Sequence, residues 1–174
     1  TPLSLAWSIA KADPTVTVEY TGGTLYSSSP LPSLTVTGTT GVAVVDASQT
    51  LRSGTNIYAW TYTPADVTNY NTKTGTISLT VIPVVLESIA VTTQPIKTTY
   101  NAFDAFDPAG MVVTATYNNS DTNVVTAQVT IDYLNDSNSF RAGETSITII
   151  FTQDSVTKTA SVPVTVNKVQ IAKP

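Results

Sequence analysis

The chain of 174 residues contains neither cysteine nor histidine. That double absence removes disulfides, Ser-His-Asp and Cys-His nucleophile arrangements, zinc sites built on His or Cys, and haem held by either residue. Charge is scarce too: 11 % of residues are Asp, Glu, Lys or Arg, where a soluble domain usually carries roughly 25 %. Eight Lys and Arg against twelve Asp and Glu leave a net charge of −4. A mildly acidic chain with scattered cations has no electrostatic footprint for nucleic acid. Glycine-rich phosphate loops are absent. No run approaches the ~20 apolar residues of a membrane-spanning helix, and no signal peptide opens the chain. Thr1-Pro2-Leu3-Ser4 reads as a cut inside a longer protein.

What is present is apolar and β-branched. The hydrophobic fraction is 41 %, enough for a packed core and too much for global disorder. Threonine makes up about a fifth of the chain and suits a half-buried pleated surface. Period-two alternation runs through Thr15–Tyr20, Leu34–Thr37, Asn56–Tyr62 and Thr76–Val81, and again through Leu86–Thr92, Met111–Tyr117, Val129–Tyr133, Ser146–Thr152 and Ala160–Val166. Turn clusters separate them: Thr21-Gly22-Gly23, Ser27-Ser28-Ser29-Pro30, Arg52-Ser53-Gly54, Asn69-Tyr70-Asn71, Asn118-Asn119-Ser120-Asp121, Asn135-Asp136-Ser137-Asn138 and Ala142-Gly143. Short strands punctuated every ~8–12 residues, with no sustained helical period, predict an all-β fold of two tandem sandwiches.

Proline cannot donate to a ladder, so Pro83 ends the strand holding Val81. The boundary is therefore expected there, with one module over residues 1–83 and a second over 84–174. Val84 and Val85 suggest a short, stiff junction. The string Ile9-Ala10-Lys11-Ala12-Asp13-Pro14 opens the first module, and Ile171-Ala172-Lys173-Pro174 reads as the lead-out to a further copy of it. Chance similarity of so short a string is the alternative.

Residues Leu86 to Val166 resemble the bacterial immunoglobulin-like domains of cell-surface and secreted proteins. The landmarks are Leu86-Glu87-Ser88-Ile89-Ala90-Val91, then Pro95 and Tyr100, then Phe106-Asp107-Pro108-Ala109-Gly110-Met111-Val112-Val113-Thr114-Ala115-Thr116-Tyr117, Gly143, and Val162-Pro163-Val164-Thr165-Val166. The first module is similar, more loosely, to surface-protein repeats through Gly54–Asp66 and Asn69-Tyr70. The resemblance implies two immunoglobulin-like β-sandwiches, an extracellular bacterial location, neighbouring repeats in the same chain, and no catalytic residues. Disulfide-free composition fits either a cytosolic protein or a Gram-positive-type surface protein; the low charge and Thr/Ser/Asn-rich surface favour the second.

Candidate sites are few. Asp104 and Asp107 could form a carboxylate pair for glycoside hydrolysis, but capping of their own turn explains them better. Asn118, Asn119, Asp121 and Asn123 form one cluster of oxygen ligands, and Asp132, Asn135, Asp136 and Asn138 another. Calcium takes six to eight oxygens, usually with several carboxylates, so Asx turns are the favoured account and no metal is expected. Tyr58, Trp60 and Tyr62 share one face: a sugar-stacking platform or, at strand spacing, core. If core, the indole N–H needs a partner. Tyr70, in a loop, is the better candidate for exposure. Some surface immunoglobulin-like domains carry Lys–Asn crosslinks, which need a buried Lys; Lys97, Lys158 and Lys168 are available.

The sequence thus predicts a non-catalytic spacer or adhesion module of a larger bacterial surface protein, with no cofactor. A module binding a glycan or host protein is the alternative, as is an accessory domain of a secreted carbohydrate-active enzyme.

Overall fold

The computed structural model describes residues 9–133 and 138–169. The cut-like start, Thr1 to Ser4, and the echo at Ile171 to Pro174 lie outside the described residues. The chain divides into two compact units, Thr1–Val84 and Val85–Pro174. The described residues are almost entirely strand and turn; the one helical element is a three-residue 3₁₀ turn, Thr126–Gln128.

The first unit is built from six strands: β1 (Val16–Glu19), β2 (Leu25–Tyr26), β3 (Thr35–Gly38), β4 (Gly41–Val45), β5 (Gly54–Pro64) and β6 (Lys73–Ile82). β1 and β3 form one antiparallel pair; the other sheet has the order β2-β6-β5-β4. Val16, Val18 and Val36 from the pair, with Leu34 just before β3, pack onto Ala43, Trp60 and Tyr62 of the larger sheet. A second cluster, Leu25, Val45, Leu51, Tyr58, Leu79 and Val81, fills the other part of the core. Alternation along β5 decides which face turns in. Burying Tyr58, Trp60 and Tyr62 removes far more apolar area from water than burying Ile57, Ala59 and Thr61 would, at roughly 25 cal/mol per Å². Accordingly Trp60 is 8 % exposed and Tyr62 fully buried, whereas Ile57 is 72 % exposed.

Large rings in a thin sandwich need space, and glycine provides it. Gly75 lies opposite Trp60 in the β5–β6 register. A β-carbon built there would overlap the indole. Gly41 is covered in the same way by the ring and hydroxyl of Tyr62. The ring hydroxyls are engaged: that of Tyr58 accepts the Arg52 N–H at 2.9 Å, and that of Tyr62 donates to the Thr39 carbonyl at 2.7 Å. The indole Nε1 is the exception. It is buried and has no hydrogen-bond partner among the described residues, contrary to the expectation that a core tryptophan finds one. The area of the indole outweighs one unmade hydrogen bond, which costs about 1–3 kcal/mol.

The second unit contains β7 (Leu86–Thr93), β8 (Thr99–Asn101), β9 (Val112–Tyr117), β10 (Thr122–Val124), β11 (Thr130–Asp132), β12 (Ser146–Gln153), β13 (Val156–Pro163) and β14 (Thr165–Asn167). Its strands form two antiparallel sheets, β10-β9-β7 and β11-β12-β13, and a separate parallel pair, β14-β8. Met111, Val113, Ala115 and Tyr117 on one side, and Ile147, Ile149, Phe151 and Val162 on the other, are the buried alternates. The Tyr117 hydroxyl donates to Gln153 Oε1 at 2.7 Å and ties the sheets together. A bulge at Glu87 puts Leu86 and Ile89, three residues apart, on the same buried side. Tyr100, Phe106, Tyr133 and Phe140 form an aromatic group, with the Tyr100 and Phe140 centroids 4.5 Å apart.

The alternating runs named from sequence are strands, with ends shifted by one or a few residues, except that Ala160–Val166 is divided at Val164 between β13, which pairs with β12, and β14, which pairs with β8. β2, β4, β8 and β10 were not expected. β2 has two residues and β8 and β10 three each, too short to show a period. β4 reads Gly-Val-Ala-Val-Val, apolar throughout, because its outward Val42 and Val44 stay exposed at a sheet edge.

Two substitutions read the ring packing directly. Trp60→Ala should cost about 3–5 kcal/mol in urea unfolding. Trp60→Phe should stay within about 1.5 kcal/mol of the parent, because it also deletes the unsatisfied N–H. A Phe variant as damaged as the Ala variant would show that the indole N–H has a partner that matters.

Candidate functional site

No stacking platform exists on β5, since its three rings are core. Tyr70 is half-buried: it bridges to Ala12, and the Asn71 amide donates to Asp13 Oδ1 at 2.8 Å. Its loop is held by Asp66, whose carboxylate accepts the backbone N–H groups of Thr68 and Asn69 and the Asn69 side-chain amide at 2.7 Å. These bonds, the Asn69 side chain first, hold the Asp66 carboxyl below its ordinary value of 3.8. Asp46 is lowered likewise by the backbone N–H and then the hydroxyl of Ser48.

Asp104 and Asp107 are turn caps. Asp104 Oδ2 accepts the Asn101 N–H at 3.0 Å and pairs with Lys97 at 3.6 Å; Asp107 Oδ1 accepts the Ala109 N–H at 3.0 Å. In the turn after β9, Asn118 Oδ1 accepts the Val85 N–H at 3.0 Å and Asn119 Oδ1 the Asp121 N–H at 3.1 Å. The Asn119 amide also donates to Asp121. Asn123 lies within β10, opposite Ala115. Asp132 is exposed at the end of β11, while Asn135 and Asp136 lie outside the described residues. Among the described residues no three acidic side chains gather as a metal site. Of the three lysines, Lys97 stands 4.6 Å over the Tyr100 ring with its side chain 46 % exposed, Lys158 is half-buried and Lys168 exposed. The described residues include no buried lysine for a crosslink.

What sequence reasoning missed is a second kind of surface. In the second unit Ala102, Phe103, Arg141, Ala142, Lys168 and Val169 line an apolar cleft of about 550 Å³. Phe103 is 79 % exposed and has a φ of 77°. The one available signal was a large apolar residue between Asn101 and Asp104, in a turn. Its conformation was not readable.

Two antiparallel sheets and a short parallel pair define the second unit as a β-sandwich. Residues 93–166 match the family model described as bacterial Ig-like domain (group 3), which supports a bacterial immunoglobulin-like domain in this unit. No curated protein matches the chain.

The lowered carboxylates make an acid limb. A depressed aspartate contributes its stability above the unfolded pKa and loses it as pH falls through the folded value. Tm should therefore drop below about pH 3.8, and Asp46→Asn with Asp66→Asn should flatten that drop. Burial raises Tyr100 above 10.0, so stability should fall again as pH climbs past 10. An acid limb unchanged in the double variant would assign it to other carboxylates. Chelator and millimolar calcium should give the same Tm; an upward shift with calcium would point first to the turn at Asn118–Asn123.

Proposed function

We propose that the chain is a non-catalytic structural module of a larger bacterial surface protein, holding other regions of that protein away from the cell and flanked by further immunoglobulin-like repeats. The observation that carries this reading is the disposition of the second unit's chemistry: Asp104, Asp107 and Asn119 cap turns, and the large inward rings fill a core. Such an arrangement resists deformation but prepares no reacting group. The family match supports the bacterial surface setting.

The closure of the first unit supports placing it in the same class. A short early strand pairs in parallel with the unit's last strand in both cases: Leu25 and Tyr26 with Val81 and Ile82, and Thr99 to Asn101 with Thr165 to Asn167. On this reading the two are separate folding units, and fragments cut between Val84 and Val85 should each unfold cooperatively. A surface glycan or host protein is the partner class; nucleic acid is not.

Antibody raised against the chain should label intact cells of the producing bacterium. Deleting the coding segment in frame should leave the protein on the surface while shortening its reach. Labelling only after permeabilisation would refute the surface assignment.

A further inference from the structure

The Asn101–Asp104 segment is a turn whose Asp104 N–H donates to the Asn101 carbonyl at 3.1 Å. Its third residue is Phe103, at a φ of 77°. That is the type II pattern, in which the third position is normally glycine or asparagine because a β-carbon is strained there. A bulky aromatic in this conformation is an outlier of the kind that persists when the surroundings over-determine it, often at functional sites. The surroundings do so here. The Ala102 N–H donates to the Asn167 carbonyl at 2.9 Å, the Phe103 N–H to the Phe140 carbonyl at 2.8 Å, and the Phe140 N–H to the Asp104 carbonyl at 2.9 Å. The turn is stitched on both sides, yet the ring it carries gains little burial. Core packing therefore does not account for Phe103.

The same two anchors place charge beside the ring. Arg141 follows Phe140 and Lys168 follows Asn167, and both line the cleft with Phe103. The ion pair seen among the described residues, Lys97 with Asp104, involves neither side chain. Glu144 Oε2 accepts the Arg141 backbone N–H at 3.0 Å. The cleft thus joins an exposed aromatic face to two cations in a chain of net charge −4. Its volume of about 550 Å³ lies in the range of small-ligand sites.

We propose that this cleft binds a carboxylate-bearing pyranose. The C–H face of the sugar stacks on Phe103, and Arg141 and Lys168 take the carboxylate through charge-assisted hydrogen bonds. The site goes beyond the structural role proposed above and does not depend on it: a spacer without the site and a spacer with it give different results below.

The test is amide-resolved NMR titration of the full chain with glucuronic acid and N-acetylneuraminic acid, with glucose and benzoate as controls. Saturable shifts are expected at Ala102, Phe103, Arg141 and Lys168 with both sugar acids, weaker at high salt, and none with glucose. Arg141→Gln with Lys168→Gln should weaken binding by about tenfold or more. Phe103→Gly should abolish binding while leaving Tm unchanged or higher, since glycine relieves the turn. Absence of saturable shifts, an equal response to glucose, binding of benzoate in place of the sugar acids, or binding that survives Phe103→Gly would each overturn the proposal.

Discussion

Each unit must hold itself together by the inward stripe of its strands, because the chain has no cysteine to form a disulfide and, among the described residues, no long helix to cover a sheet. Small domains bury a modest fraction of their surface, so the size of the inward residues matters. The first unit meets this with rings: Tyr58, Trp60 and Tyr62 lie on one strand and need Gly75 and Gly41 to clear room for them. The second meets it with fully buried aliphatic residues such as Ile147, Ile149 and Val162, and an aromatic group at Tyr100 and Phe140.

The outward faces then need polarity without charge. Threonine fills that role and also pairs across strands. Thr55 with Thr80, Thr92 with Thr114 and Thr152 with Thr157 are hydroxyl pairs at 2.8–3.0 Å. Such pairs contribute a few tenths of a kcal/mol up to about 1 kcal/mol each. Low charge content and high threonine content are thus two sides of one surface.

Much of this was legible because alternation is a direct image of the pleat. Val113, Ala115 and Tyr117 were read as one face and are one buried face. The failures have physical causes. A bulge adds one residue and breaks the period, so Leu86 could not be grouped with Ile89 from spacing. Two- and three-residue strands such as β2 and β8 are defined by their partners, and their own sequence is too short to show it. The expected indole partner is absent because area dominates polar satisfaction at that position. Phe103 was invisible for a different reason: its significance lies in a backbone angle that its residue type does not predict. The aromatic stripe, conspicuous in the sequence, is structural, while the exposed ring sits in an inconspicuous turn.

The central claim, that ring-on-glycine packing across β5 and β6 holds the first unit, is tested most directly by a double-mutant cycle on Trp60 and Gly75. Gly75 carries an ordinary strand backbone, and the atoms nearest an alanine β-carbon there belong to the indole. Alone, Gly75→Ala should destabilise by about 1–3 kcal/mol through overpacking. In the Trp60→Ala background it should be neutral or stabilising by up to about 1 kcal/mol. The account predicts a coupling energy of at least about 1 kcal/mol from urea unfolding; additivity within about 0.5 kcal/mol would contradict it.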